Sequence, residues 1–216
     1  MNNKTILYII AGMIVLLVCL FGAYKLTNTG TSTSYKDVAS VKADDHAKWS
    51  PEKKNVLIEY SDLQCPACKN FHSILKTFEA SSSPEFKITQ KVTFVYRHYP
   101  LFQIHANAMN AAYAAEAAGK QGNFFEMGDR LFDTQSEWEN QSNPKDFFVK
   151  LAEELKLDVE KFKKDVDSVE IKQKIDNDLQ SGNQGEVNAT PTFFLNGKKL
   201  DSIRSIDEFK KLLLSL

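Results

Sequence analysis

The feature that most restricts the fold of this chain is a pair of cysteines between a short apolar run and a helical pattern. Residues 55–60 read NVLIEY, which is typical of a buried strand. The motif CPAC follows at 65–68, and residues 65–80 carry apolar side chains at helical spacing. Pro66 suits the first turn of a helix, because its missing N–H would have no intrahelical partner there. The sequence therefore predicts a strand, a turn and a helix that begins at the cysteine pair.

The order of the remaining elements favours an α/β sheet domain with helices inserted in its middle. Residues 92–96 (VTFVY) predict a second strand. From about 103 to 182, alanine-rich and charged helical patterns predict a block of roughly three to five helices. Strand character returns in TPTFFL at 190–195, and the Asn-Gly at 196–197 is typical of a hairpin turn. Ser205 then opens an amphipathic helix through a capping box, which completes an α/β pattern.

Charge and composition are those of an ordinary globular protein over most of the chain. Apolar residues make up 43% and charged residues 25%, which predicts one sizeable core. The formal net charge of −1 gives no reason to expect a nucleic-acid partner.

The N-terminus has a different character from the rest. Residues 6–24 carry no charge, and their length suits a transmembrane helix of about 20 residues. The apolar core of a cleavable signal peptide is shorter, about 7–15 residues, and the bulky Phe21 fits poorly at a cleavage site. We therefore predict a membrane anchor over 1–26, with a cleaved signal peptide as the alternative. Residues 27–48 are polar and Ser/Thr-rich and predict a flexible tether, so the folded domain would span 49–216.

The cysteine pair has three possible roles, of which two are disfavoured. A disulfide closing so short a loop would remove little entropy from the unfolded chain. A zinc site needs about four ligands, and the only other cysteine lies in the apolar N-terminal stretch. The four histidines, at 46, 72, 98 and 105, form no spaced pair. No metal and no other cofactor is therefore predicted.

A redox role is favoured, because a mechanism supports it. A cysteine at the N-terminus of a helix has its thiolate stabilised by unpaired N–H groups and by the helix dipole. Cys65 is thus the predicted nucleophile and leaving group. Cys68, one turn further in, is the predicted resolving thiol.

Four stretches of the chain together resemble the DsbA-like thiol-disulfide oxidoreductases of the thioredoxin superfamily. They read SDLQCPACKNF, VYRHYPL, HANAMNAAYAAEAAGKQGNFFEMGDRLF and VNATPTFFLNGKKL, and they follow in the order of that family. The resemblance runs from about Val56 to the C-terminus. It implies a thioredoxin fold with a helical insertion, which agrees with the order of elements.

The resemblance also implies roles for residues outside the motif. Thr190 and Pro191 would form a cis peptide bond opposite the cysteines, where the backbone of Thr190 binds an extended substrate. A trans proline that opens a strand is the alternative. Glu59 matches a buried acid that helps to move protons to and from Cys68, since a carboxyl in low dielectric has a raised pKa. A strand residue that faces water is the alternative for Glu59.

The predicted function is that of a membrane-tethered dithiol oxidase that introduces disulfides into reduced or unfolded exported proteins and is reoxidised by a membrane redox partner. The Pro-Ala between the cysteines, where thioredoxins usually carry Gly-Pro, tilts the choice toward an oxidase. A reductase of the same fold and a non-catalytic peptide-binding module remain alternatives. Disulfides persist outside the cytoplasmic membrane, which favours an extracytoplasmic domain. The lysines that follow the apolar stretch favour the opposite topology; they are residues 25, 36, 42 and 48.

Overall fold

The computed structural model describes residues 12–18, 20–21, 38–80, 82–201 and 205–216. The chain divides into two compact units, 1–34 and 35–216. In the first unit, residues 12–18 are helical. Among the described residues, no helix has both the length and the apolar character needed to span a membrane. Much of the predicted anchor falls outside the described residues, so the anchor stays a prediction.

The second unit is built on a five-stranded sheet with the order β1-β3-β2-β4-β5. The central strand β2 pairs in parallel with β3 and antiparallel with β4. Almost every residue of β2 and β3 is buried, which explains why both read as nearly continuous apolar runs. The strands are β1 (His46–Trp49), β2 (Asn55–Ser61), β3 (Val92–His98), β4 (Thr192–Leu195) and β5 (Lys198–Lys199).

Helices cover the sheet and form the insertion between β3 and β4. Helix α1 follows β2, α2 precedes β3, and α9 closes the chain. The insertion contains six helices, more than predicted, because the single turn α5 is too short to leave a periodic pattern. The helices are α1 (Pro66–Glu79), α2 (Phe86–Lys91), α3 (Ala108–Gly119), α4 (Phe124–Asp133), α5 (Gln135–Trp138), α6 (Lys145–Glu154), α7 (Val159–Val166), α8 (Val169–Gln184) and α9 (Ile206–Leu214).

The described part of the predicted tether is folded rather than flexible. Val38 is only 1% exposed, and Asp45 forms a buried ion pair with Arg97 of β3 at 2.8 Å. Strand β1 then pairs antiparallel with β3 from His46 onward. The polar composition of residues 38–48 is typical of a linker. The Asp45 carboxylate, however, is neutralised by Arg97, which is distant in sequence, and no local pattern reveals this pair. The domain therefore begins before residue 49.

Candidate active site

The two cysteines lie at the junction between β2 and α1. Cys65 is the N-cap of the helix and has extended backbone angles, while Cys68 lies inside the first turn. The intervening turn is closed by the N–H of Cys65, which donates to the carbonyl of Asp62 at 3.0 Å. Cys65 is 7% exposed and Cys68 is fully buried. An incoming thiol can therefore reach Cys65 much more easily than Cys68.

The two thiols differ widely in acidity. The pKa of Cys65 is lowered from 9.0 to about 5, first by a hydrogen bond from the Cys68 thiol, which outweighs the cost of burial. The backbone N–H groups of Ala67 and Cys68 at the helix start add to this effect. The pKa of Cys68 is raised, mainly because burial disfavours its charged form. At neutral pH the pair therefore consists of a Cys65 thiolate and a Cys68 thiol.

Thr190 lies against the reactive sulfur. Its carbonyl oxygen is 3.4 Å from Cys65 Sγ, although the two residues are far apart in sequence. The Thr190–Pro191 peptide bond is cis, as the family resemblance implied, and β4 begins at the next residue. The backbone of this segment thus lies next to the Cys65 thiolate. Substrate binding by Thr190 and Pro191 stays a prediction.

Glu59 is buried in the middle of β2. It is 3% exposed and lies between Tyr96 of β3 and Phe193 of β4 in the sheet register. Burial raises the pKa of this carboxyl from 4.5 to about 7, against a smaller opposing effect of the Lys48 charge. A water-facing position for Glu59 is therefore wrong. A carboxyl with this pKa can both accept and give a proton near neutral pH.

A small cavity adjoins Glu59. Its volume is about 30 Å³, which is enough for about one water molecule. Polar groups from five elements line it together with apolar side chains; they are Glu59, Tyr96, Lys48, His72 and Asp129. Lys48, His72 and Asp129 are half-buried and reach toward the surface. The Glu59 carboxyl is therefore not sealed into wholly apolar surroundings.

Asp62 is a site residue whose full role the sequence did not reveal. It forms the predicted turn, since its Oδ1 accepts the N–H of Gln64 at 2.8 Å. Its Oδ2 also accepts the N–H of Leu101 at 2.9 Å and lies 2.6 Å from His105 Nδ1. His105 is 43 residues away in sequence, so no local pattern connects the two. One signal was available: β2 and β3 are parallel neighbours, so the segments that follow them lie at the same edge of the sheet.

This chain holds a dithiol of this acidity on a sheet of this topology, an arrangement that has the chemistry for thiol-disulfide exchange. It belongs to the thioredoxin family, whose sequence model matches residues 43–214. The resemblance to DsbA-like proteins is confirmed for the fold. The chain superposes on Wolbachia pipientis alpha-DsbA1 with a TM-score of 0.70 and 23% identity, over 85% of this chain and 96% of that one. For oxidised BdbD from Bacillus subtilis the TM-score is 0.66 and the identity 22%, over 79% and 91% of the two chains.

Curated proteins with similar sequences are named as sodium/proton antiporters and not as thiol-disulfide oxidoreductases. The chain is 33% identical over 159 residues to a Na(+)/H(+) antiporter NhaA 1 of Mycobacterium sp. (strain KMS). A Na(+)/H(+) antiporter NhaA 3 of Salinispora tropica is 33% identical over 155 residues. The matches cover 72% of this chain but only 24% and 22% of those antiporters. The similarity thus concerns a segment of each antiporter and not its whole length.

Proposed function

We propose that this chain is a dithiol oxidase that passes its disulfide to reduced proteins on the outer side of the cytoplasmic membrane. The observation that carries the direction is the low pKa of Cys65, about 5. A thiolate stabilised in this way makes the reduced form of the pair more favourable, and a pair that prefers to be reduced oxidises other dithiols. The same acidity makes Cys65 a good leaving group.

The proposed reaction has two exchange steps. A client thiolate attacks Cys65 Sγ of the enzyme disulfide, forms a mixed disulfide and expels the Cys68 sulfur as a thiolate. Cys68, whose pKa is raised by burial, takes up a proton, and Glu59 is the proposed donor. A second client thiolate then attacks the client sulfur of the mixed disulfide and releases the Cys65 thiolate. The client loses two electrons and the enzyme gains them.

The membrane setting rests on two further arguments. The apolar stretch 6–24 would tether the domain as a signal-anchor. Disulfides persist in proteins outside the cytoplasm, so reduced exported proteins are the proposed clients. Because each turnover leaves Cys65 and Cys68 reduced, continued activity needs an electron acceptor, for which a membrane redox partner is proposed.

The reduction potential of the full chain, equilibrated with glutathione, tests the direction. We expect a value of about −120 mV, as for DsbA. A value of about −270 mV, as for thioredoxin, would make the chain a reductase instead. Oxidation of a reduced protein in vitro should depend on the nucleophile, so Cys65→Ser should abolish it. Full activity in that variant would show that another thiol reacts, and peptide binding without any exchange would indicate a binding module.

A further inference from the structure

The carboxylate of Asp62 joins two segments at one edge of the sheet. It is fully buried, with 0% of its side chain exposed. Oδ1 accepts a hydrogen bond from within the cysteine turn, whereas Oδ2 accepts from Leu101 and contacts His105. The 2.6 Å contact to His105 Nδ1 is slightly shorter than the about 2.7–2.9 Å of hydrogen bonds between a nitrogen and a carboxylate. The cysteine turn and the segment after β3 are thus held together through one side chain.

The segment on the far side of this link is a surface loop, residues 99–105, here called the His105 loop. A local turn closes it, since the N–H groups of Ile104 and His105 both donate to the carbonyl of Leu101 at 2.9 Å. The loop carries two large apolar side chains in water: Phe102 is 53% exposed and Ile104 is 73% exposed. Most exposed apolar side chains need no explanation, but these two belong to a loop that is hydrogen-bonded to Asp62 of the cysteine turn.

We propose that His105 is a positioning residue which, through Asp62, holds the His105 loop beside Cys65 so that Phe102 and Ile104 contact apolar side chains of an extended client segment. This inference deepens the proposed function, because it concerns how the same site binds its client. The imidazole is 16% exposed, and within the described residues its other nitrogen has no hydrogen-bond partner. The ring is therefore committed to Asp62 alone.

The cysteines themselves are held by contacts that do not involve His105. Cys65 N–H donates to the Asp62 carbonyl, and the Asp62 N–H lies 3.4 Å from Cys68 Sγ. The N–H of Tyr99, the first residue of the loop, donates to the carbonyl of Ser61 at 2.8 Å. The Tyr99 hydroxyl is held by Asn183 or Val187 independently of His105. Loss of the imidazole should therefore loosen the loop while the dithiol keeps its geometry. Client binding and intrinsic redox chemistry should respond differently.

The test compares His105→Ala with His105→Asn in the full chain. The amide nitrogen of asparagine can occupy about the place of the ring Nδ1, so this variant keeps the donor to Asp62. Substrates are a peptide with two thiols and flanking apolar side chains, the same peptide with those side chains replaced by serine, and dithiothreitol. For His105→Ala we expect a rise of about tenfold in KM for the apolar peptide, equivalent to about 1.4 kcal/mol. The rate with dithiothreitol and the potential against glutathione should not change.

His105→Asn should restore the low KM, and the serine peptide should bind all forms equally weakly. Exchange is measured in both directions, with reduced and with disulfide-bonded peptides, so a chain that proves to be a reductase still gives a KM for each variant. Two results would overturn the proposal. One is an unchanged KM in His105→Ala; the other is an equal loss of rate with peptide and dithiothreitol, which would indicate general damage to the site.

Discussion

At the scale of single residues, the most unusual group is the Glu59 carboxyl, whose pKa of about 7 results chiefly from burial. Folding therefore favours its protonated form. The stability that Glu59 contributes is complete below its ordinary pKa of 4.5 and is lost as the pH rises through about 7. A buried acid with this property is an unfavourable choice for stability alone, which is consistent with a role in proton transfer.

The variant Glu59→Gln removes this titration. We expect it to be more stable than the parent chain at pH 8, by at most about 3 kcal/mol, with the difference falling below about 1 kcal/mol at pH 5. Urea unfolding of the reduced protein at both pH values measures the effect. A stability difference that is the same at pH 5 and pH 8 would mean that Glu59 does not titrate between them. If the Glu59 carboxyl supplies the proton, the same variant should also slow the step in which a client thiolate attacks the enzyme disulfide and expels Cys68.

The acidity of Cys65 gives a second prediction at this scale. Alkylation by iodoacetamide proceeds through the thiolate, so its rate should titrate with a midpoint near pH 5. In Cys68→Ala the midpoint should rise, because the Cys68 thiol provides the largest stabilising hydrogen bond. An unchanged midpoint would mean that the helix start and its backbone N–H groups, and not the Cys68 thiol, lower the pKa of Cys65. A midpoint near 9 in the parent chain would contradict the thiolate altogether.

At the scale of elements, the approach of α8 to the sheet depends on a glycine. A Cβ at Gly182 would lie 2.6 Å from Cδ2 of Tyr99, closer than real Cβ atoms approach other heavy atoms. The ring of Tyr99 cannot easily give way, since its hydroxyl donates to Asn183 Oδ1 or the carbonyl of Val187, both at 2.7 Å. The helix can therefore pack this closely only without a side chain at 182.

The variant Gly182→Ala should accordingly destabilise the domain, by about 1–3 kcal/mol through overpacking. Gly128 in α4 is the matched control, because a Cβ there meets nothing within 4 Å. Gly128→Ala should instead stabilise the domain by up to about 1 kcal/mol, the difference in helix propensity. Thermal unfolding of both variants measures the contrast. Equal effects of the two substitutions would show that α8 can shift away from the sheet at little cost.

The sequence predicts those elements whose patterns are regular and long enough to read. The predicted bounds of strands β2 and β3 and of helix α1 agree with the structure within a few residues, because continuous apolar runs and helical spacing are local properties. The sequence does not predict strand β1, since the strand is four residues long and gains its order from pairing with β3. In the site, the cysteine pair follows from the motif, whereas the strand position of Glu59 allows either a buried or a water-facing side chain and only the fold decides for burial. The Asp62–His105 contact does not, because only the folded sheet brings its two partners together.

At the scale of the whole molecule, charge and chemistry lead to opposite topologies. The lysines after the apolar stretch place the domain in the cytoplasm by the positive-inside rule. Two of them belong to the described folded unit: Lys48 pairs with Glu79 at 2.5 Å, and Lys42 donates its N–H to Asp45. The positive-inside rule counts lysines within about 15–20 residues of the span, so Lys48, which lies further along the chain, weighs little in topology. The charge argument against an extracytoplasmic domain therefore rests mainly on the lysines nearer the apolar stretch.

The topology can be measured through Cys65 itself. In a full chain with Cys19→Ser and Cys68→Ala, Cys65 is the single thiol. We expect a membrane-impermeant maleimide to label it in intact spheroplasts as fully as after permeabilisation, because the catalytic domain would lie outside. Labelling of the denatured chain gives the total, and a cytoplasmic protein that stays unlabelled shows that the membrane is closed. Labelling only after permeabilisation would place Cys65 in the cytoplasm, where glutathione and thioredoxin keep thiols reduced and a disulfide donor would have no lasting product. In that case a reductase function would explain the same dithiol better than an oxidase function.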